Sequence, residues 1–573
     1  MPCGEPVDIE NPCRIIDASA VLGRHRSRGS NRSLESLLST CFSWSTTAKQ
    51  FTAHGRETDG QIRKSRARRR VNKSVRPEAA PDEDLLARRR GKRRGMLLRG
   101  MTRSSRPTLT RCFARAALVV AAALLGSDAC LAADLDWRRL GSEATEVLAD
   151  VIRIDTQNPP GGETAAANAL ARKLEAEGIR AEVFESSPGR GSLHARLPGS
   201  GGAPPVILLA HLDVVPADPR GWRFPPFSGA LEHGYVYGRG ALDAKGVAVV
   251  ELMALVALKR SGQPIDRDVI LLATADEETG GKAGAGWIVQ HRPELLGNAE
   301  YLLTEGDHIH LAQGGRKVVQ VAVAEKTPCW VKLIARGEGG HGSTPPAQTA
   351  VTRLIRALDK LRRYRTGVRL VRPVEEYFAA LAPLEREPLR SKLAHLSEAL
   401  EDPAFLAEFT RNPRQNALIR NTMTPTVLEG SPKTNVIPED ASAQLDCRLL
   451  PGERPAEFLA LLREVIADET ILVETLLSFP ASSSDSTSGL MAAIRKLAAT
   501  DLGGAPVIPS VIPGFTDSHY FRDHGVASYG FVPFVLSEDD EKTVHGINER
   551  VSVENLRDGV RRLVALLRAL PTR

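Results

Sequence analysis

The chain has 573 residues, 42% apolar and 25% charged, enough for two or three globular domains and far from a fibrous or wholly unfolded polypeptide. Its formal charge of +7 averages two unlike parts: residues 1 to 133 carry 26 Lys and Arg against 12 Asp and Glu, and the rest carries 50 against 57. The basic balance therefore belongs to the front end, and it gives no reason to assign a nucleic-acid partner to the remainder.

Residues 1 to 100 include RKSRARRR (63 to 70) and ARRRGKRRG (87 to 95) with no periodic apolar pattern, so a disordered basic extension, or an untranslated stretch, is expected there. No aromatic interleaving or fold motif accompanies the charge, which argues against a nucleic-acid-binding arm. Residues 101 to 133 read as a secretory signal peptide: Arg103, Arg106, Arg111 and Arg115, then the apolar run 116 to 126, then small residues ending at Ala133. The run is too short for a permanent membrane span. Translation is then expected to start near Met96 or Met101, and the product to be secreted or periplasmic. Lipid attachment at Cys130 is disfavoured by Asp128. After cleavage only Cys329 and Cys447 remain, either as a pair or as buried thiols.

From Asp134 the spacing predicts a helix through LGSEATEVLADVIRI, a turn at NPPGGE, and a second helix over 165 to 178. A strand at AEVFES leads to the apolar run Val206 to Ala210, which delivers His211 at its end with Asp213 two positions on. Asp243 follows in the glycine-rich GRGALDAKG, and then a largely apolar helix, Val247 to Arg260. Val269 to Ala275 is a buried strand ending in Asp276, Glu277 and Glu278. AEYLLTEGD is another, ending in Glu305 and Asp307. Strands alternating with helices predict an α/β domain with a mostly parallel sheet flanked by helices, whose ligands gather beyond the carboxyl ends of its strands. Any one acid there is ordinary loop polarity. Histidine and carboxylates at successive strand ends instead suggest a metal site.

Past Glu305, Lys317 to Ala324 and Trp330 to Gly337 alternate as strands of a different sheet. They are followed by GEGGHGSTPP, a helix, a long helical insertion (368 to 421), the strand SAQLDCRLL, a helix, and ILVETLLSF. The catalytic domain is therefore expected at 134 to 316 and 483 to 573, with an α+β lid at 317 to 482 inserted in it. The last helix, NLRDGVRRLVALLRAL, has an apolar stripe suited to covering the sheet.

The motifs HLDVVP, GRGALDAKG, DEETGG, TEGD, GEGGHGSTP, TNVIPEDASAQLDCRLLPG, GFTDSHYF and HGINERVSVE occur here in the order seen in the co-catalytic zinc aminoacylase/carboxypeptidase family. That family includes glutamate carboxypeptidase, aminoacylase, acetylornithine deacetylase and the carboxypeptidase S group, and the chain resembles the carboxypeptidase S branch in particular. The resemblance implies two Zn2+ ions, with Co2+ or another divalent metal as the alternative. His211 and Glu305 would hold one ion, Glu278 and His545 the other, and Asp243 would bridge them. It also implies a cis peptide at Asp243–Ala244, Glu277 as general base, and Asp213 as the residue orienting His211. Glu277 and Glu278, adjacent in extended chain, are expected to face opposite ways. The lid is implied to be ferredoxin-like and to form a homodimer through which His341 stabilises the oxyanion. Asn435, Arg448, Gly514 and Thr516 are implied to contact substrate, Arg448 through a two-pronged grip on a carboxylate. Phe515 stands where the family has a second glycine, making the cleft more apolar. His308, His310, His519 and His524 fall on no family ligand position and are expected to be surface or supporting groups.

These expectations converge on an exported dizinc hydrolase that releases an amino acid with a free carboxylate from a peptide or N-acyl amino acid. A biosynthetic deacetylase or desuccinylase and an inactive peptide-binding relative are the alternatives. Mass spectrometry of the mature N-terminus is expected to find Asp134 first; a chain retaining the basic extension would reopen the nucleic-acid reading.

Overall fold

In the computed structural model the described residues are 135–572; the basic extension and signal peptide expected at 1 to 133 lie outside them. The chain opens with α1 (Trp137–Ile152) and α2 (Thr164–Ala176), then β1 (Ala181–Glu185), β2 (Gly191–Leu197) and β3 (Ala203–His211). Asp136 caps α1 by accepting from the backbone N–H groups of Arg138 and Arg139. A hairpin, β4 (Ala230–Glu232) and β5 (Tyr235–Tyr237), precedes the almost wholly buried α3 (Lys245–Ser261), which Gly262 ends in a left-handed conformation. Next come β6 (Arg267–Thr274), α4 (Ala285–His291), β7 (Tyr301–Thr304), β8 (Ile309–Leu311) and β9 (Lys317–Glu325).

The middle of the chain runs β10 (Thr327–Arg336), β11 (Gly340–His341), α5 (Ala350–Arg363), then the insertion α6 (Arg372–Leu381), α7 (Leu389–Ala394), α8 (Leu396–Ala399), α9 (Pro403–Phe409) and α10 (Pro413–Leu418). After it come β12 (Thr422–Glu429), β13 (Val436–Ile437), β14 (Asp440–Leu449), α11 (Pro455–Ile466) and β15 (Ile471–Ser478). The chain closes with α12 (Gly489–Asp501), β16 (Val507–Ile512), α13 (Ser518–Arg522), β17 (Ala527–Gly530), β18 (Val535–Leu536), α14 (Glu538–Glu541), β19 (Arg550–Ser552) and α15 (Val553–Ala569).

The large sheet has the order β1-β2-β6-β3-β7-β17-β9-β8-β18, with β16 beside β9. Its centre, β6-β3-β7-β17, is parallel. Alternation along β3 feeds both faces: Val206, Leu208 and Ala210 join the core under α1, α3 and α15, while Ile207 and Leu209 pack with Ile288 of α4 and Phe521 of α13. A strand covered on both faces reads as a continuous apolar run, which is why β3, β6 and β7 are legible as buried strands. The result is an α/β fold with a mainly parallel sheet between helices.

The lid is a four-stranded antiparallel sheet, order β12-β14-β10-β15, with α5 and α11 packed against it. Its chain order, strand-helix-strand-strand-helix-strand, is ferredoxin-like. Cys329 and Cys447 lie in its core as free thiols.

Two expectations need correction. β9 is not a lid strand: it pairs with β8, β16 and β17 in the large sheet, so the crossing into the lid falls between Glu325 and Thr327. The physical reason is that VVQVAVAE is buried on both faces, the signature of an interior strand rather than one alternating towards solvent. The insertion, although it lies within the lid in sequence, packs Val374, Tyr377, Phe378, Phe405 and Phe409 with Ala324 of β9 and Ile508 and Val511 of β16. It covers the catalytic sheet. Among the described residues no helix is long and apolar enough to cross a membrane.

Three helices are tied by charge at one corner. Arg260 of α3 donates to Glu143 of α1 at 2.7 Å and to Glu177, just past α2, at 2.6 Å, and Lys173 joins both acids. The Arg260 hydrogen bond is the main reason the Glu143 carboxyl is lowered to about 2 from its ordinary 4.5. A depressed carboxylate pKa stabilises the fold above its unfolded value and loses that contribution as pH falls from about 4.5 towards about 2. The network lies at the surface and its side chains keep part of their exposure, so its worth is about 1 kcal/mol. Arg260→Ala is expected to lower the urea midpoint modestly at pH 6 and to flatten its decline on acidification, as followed by circular dichroism.

Candidate active site

The site is assembled at strand ends. β3 delivers His211, the turn after β6 delivers Glu277 and Glu278, β7 delivers Glu305, and loops before α3 and β19 bring Asp243 and His545. The Asp243–Ala244 peptide is cis.

Asp243 stands between the two histidines. Its Oδ1 lies 3.0 Å from His211 Nε2 and its Oδ2 3.1 Å from His545 Nε2. His211 Nε2 is also 3.4 Å from Glu305 Oε1 and 4.0 Å from Glu277 Oε2, and His545 Nε2 is 3.3 Å from Glu278 Oε1. Ligand atoms of His211, Asp243 and Glu278 fall within 4.8 Å of one another, as do those of His211, Glu277 and Glu305. The five sequence-predicted ligands and the predicted base thus meet in one place.

Buried acceptors hold these groups. Asp213, fully buried, accepts the backbone N–H of Glu277 at Oδ1 and of Glu278 at Oδ2, both at 3.1 Å, and the Asn158 amide at 2.7 Å. Its Oδ1 also lies 3.4 Å from His211 Nδ1. It therefore orients the acidic turn as well as the imidazole. Sequence reasoning missed Glu549 altogether. Its carboxylate accepts from the N–H groups of Gly240, Leu242 and Asp243 and from Arg239, pinning the loop that carries Asp243. The signal was present: Glu549 lies inside HGINERVSVE, four residues after His545.

The expectation of extended chain at the glutamates is corrected by the geometry. Asp276 adopts a left-handed φ of 76°, and Glu277–Thr279 forms a single 3-10 turn. Such a φ costs a non-glycine residue roughly 1 kcal/mol. Here the Asp276 carboxylate offsets it by accepting from Thr279 and Ala283 and pairing with Arg190. The turn, not strand alternation, separates Glu277 from Glu278. Gly281, φ 71°, is needed because a Cβ there would lie 2.0 Å from Asp517 Oδ1.

Electrostatics identify what the cluster wants. Burial pushes the Glu277 carboxyl well above the usual range, reinforced by Glu305, and raises Glu278 likewise. Burial also lifts Glu305 to about 7. Burial opposes ionisation of Asp243 too, but bonds from His211 and His545 outweigh it and hold its carboxyl well below the ordinary value. Four buried carboxylates facing two imidazoles form a donor set of nitrogen and oxygen ligands lacking compensating positive charge, and divalent cations fit it.

The expected substrate residues are disposed differently. Arg448 on β14 is held by Asp446, with Nε to Oδ1 at 2.7 Å and Nη2 to Oδ2 at 3.2 Å, and lies over the rings of Trp330 and Phe515. Only its buried Nη1 lacks a partner, so the two-pronged grip expected for it is not open while Asp446 is in place. Thr516 is a second correction. It is buried, its hydroxyl and N–H both donate to Glu325, and its oxygen accepts from the Ser518 N–H, so it holds the loop instead of facing substrate. A Cβ at Gly514 would meet nothing within 4 Å, leaving open space beside Phe515. Phe515 packs edge-on against Trp330 and Phe479. His341 is exposed on the lid edge and bonded to Ser343. There β11 pairs with β13, and the Asn435 carbonyl accepts from the Gly342 N–H at 2.8 Å.

Three of the four histidines set aside are not at the surface. His308 Nε2 and His310 Nδ1 each lie 2.9 Å from Glu541 Oε1, and His310 Nε2 lies 3.3 Å from Asp307, in a buried network. His519 is buried and stacked on Phe479, and His524 is exposed.

The chain matches the model of Peptidase family M20/M25/M40 over residues 207–569. It is 33% identical over 362 residues to N-fatty-acyl-amino acid synthase/hydrolase PM20D1 of Xenopus tropicalis, covering 61% of this chain and 69% of that protein. It is 27% identical over 432 residues to aminoacylase-1A of Rattus norvegicus, covering 73% and 94%. Among solved structures, the M20 family metallo-carboxypeptidase Sso-CP2 from Sulfolobus solfataricus matches with a TM-score of 0.60 at 21% identity, over 75% of this chain and 99% of that one, a likeness of fold. Since the family match spans most of the chain and encloses every member of the cluster, this chain belongs to peptidase family M20/M25/M40 and is a metal-dependent hydrolase of amide or peptide bonds.

Proposed function

We propose that this chain is an exported dizinc hydrolase of N-acyl amino acids, splitting the amide to give an acid and an amino acid with a free carboxylate. The observation that carries the dinuclear reading is Asp243, whose two oxygens each face a different histidine. His211, Asp243 and Glu305 would hold one cation and Asp243, Glu278 and His545 the other. Bound there, such a pair supplies Lewis acidity to the scissile carbonyl and makes water acidic enough to attack near neutral pH. Preference for an N-acyl substrate is supported by the names of the two relatives and by the aromatic group of Trp330, Phe479 and Phe515 beside the Arg448 guanidinium.

Glu277 is the proton carrier. It takes a proton from the attacking water as the new C–O bond forms, then delivers it to the amide nitrogen as the C–N bond breaks, so no proton is gained or lost overall. Asp213 keeps it in reach through its backbone N–H. Arg448 Nη1 meets the substrate carboxylate, with Asn435 and Gly514 completing the cleft. His341, on the exposed lid edge, reaches the oxyanion across a homodimer formed through the lid.

In a screen of N-acyl amino acids with zinc-loaded protein, Glu277→Ala is expected to lower kcat by roughly 10²- to 10⁴-fold while metal content and circular dichroism stay unchanged. Retained turnover would remove Glu277 from the chemistry. Arg448→Ala is expected to cost activity on N-acyl amino acids at least about tenfold more than on their carboxamides; equal losses on both would contradict the carboxylate contact.

A further inference from the structure

A cavity of about 670 Å³, sharing no lining residue with the metal cluster, lies between the C-terminal end of α5, helix α9, the residues around the end of α10, and lid strand β12. Its size lies within the roughly 300 to 1,000 Å³ of small-molecule sites. One part of its wall is apolar, with Leu406, Met423 and Leu445. The other carries Arg362, Arg365 and Arg420, and no carboxylate is among its lining residues. Arg362 is neutralised by Asp359 at 2.9 Å. Arg365 and Arg420 have no ion-pair partner among the described residues.

Arg420 is fixed at this wall. Its carbonyl accepts from the buried Lys326 ammonium at 2.9 Å, its Nη1 donates to the Thr366 carbonyl at 3.1 Å, and its buried Nε has no partner. Burial and the nearby Arg365 charge both lower its pKa, the sign of two guanidinium groups close together without a counter-charge. Leaving a partly buried cation uncompensated is unfavourable, and here the apolar wall stands beside it. A bare inorganic anion would satisfy the arginines and leave that wall wet.

We propose that this cavity binds an anionic amphiphile, a carboxylate-headed molecule with an aliphatic tail. The carboxylate sits against Arg365 and Arg420 and the tail lies over Leu406, Met423 and Leu445. The held geometry of Arg420 means little ordering is required when the ligand arrives. None of its lining residues is one assigned to the catalytic cleft, although Thr422 pairs with Arg448 across β12 and β14, and the proposal does not depend on which amide the enzyme cleaves.

The test is photo-crosslinking of the full chain with a diazirine-tailed dodecanoate, the labelled peptides being mapped by mass spectrometry. Label is expected within residues 403 to 425, suppressed by excess dodecanoate but not by dodecanol or inorganic phosphate. Arg365→Glu, at a side chain without an ion-pair partner among the described residues, is expected to reduce that label at least about tenfold with hydrolytic activity and Tm unchanged, and Arg365→Lys to retain most of it. The proposal is overturned if residues 403 to 425 remain unlabelled, if dodecanol or phosphate competes as well as dodecanoate, or if Arg365→Glu leaves the label intact. Labelling within the catalytic cleft reports separately on the proposed substrate.

Discussion

The structure depends on one electrostatic constraint: the buried carboxylates of Asp243, Glu277 and Glu305, and the mostly covered one of Glu278, are packed against two imidazoles. Buried carboxylates this close are tolerated only with a partner charge. Much of the surrounding architecture supplies neutral donors to the acids that hold them. Asp213 takes the N–H groups of the glutamate turn and Glu549 those of the loop leading to Asp243. Neither of these supporting carboxylates has solvent to lean on, since both are fully buried. Each instead accepts several donors from backbone that the fold has already immobilised.

This explains why the site sits where it does. Parallel strands covered on both faces end together, and the loops beyond them are the one place where backbone donors and polar side chains can converge without burying an unsatisfied group in the sheet. Gly246 shows how tight the convergence is: a Cβ there would lie 2.0 Å from the Ala241 carbonyl. The lid brings a second chemistry, an arginine stacked among aromatic rings, to the same cleft loop through Phe515. One edge is thus charged and fixed, the other amphipathic.

Much of this was legible in the sequence because the chemistry dictates both residue type and position. An apolar run ending in histidine, or in paired acids, states the strand and its catalytic end together, as Val206 to His211 does. What the sequence concealed are partnerships distant along the chain. The near-continuous apolar run of β9 marks an interior strand, but which strands flank it, β8 and β16, is not written locally. Thr516 resembles a substrate contact until Glu325 is seen to occupy its hydroxyl. His308 and His310 read as surface or supporting groups, with no partner nameable, because Glu541, which buries with them, lies far downstream. Extended geometry at Glu277 failed for a local reason, the left-handed Asp276, which residue identity only weakly signals.

The central claim is that this buried acid and imidazole cluster holds two cations sharing Asp243. Anomalous diffraction at the zinc edge from crystals of zinc-loaded protein tests it most directly. Two peaks roughly 3.5 to 4 Å apart are expected, one beside His211 and Glu305 and the other beside Glu278 and His545, with the Asp243 carboxylate between them. A single peak, or peaks elsewhere in the molecule, would contradict the account.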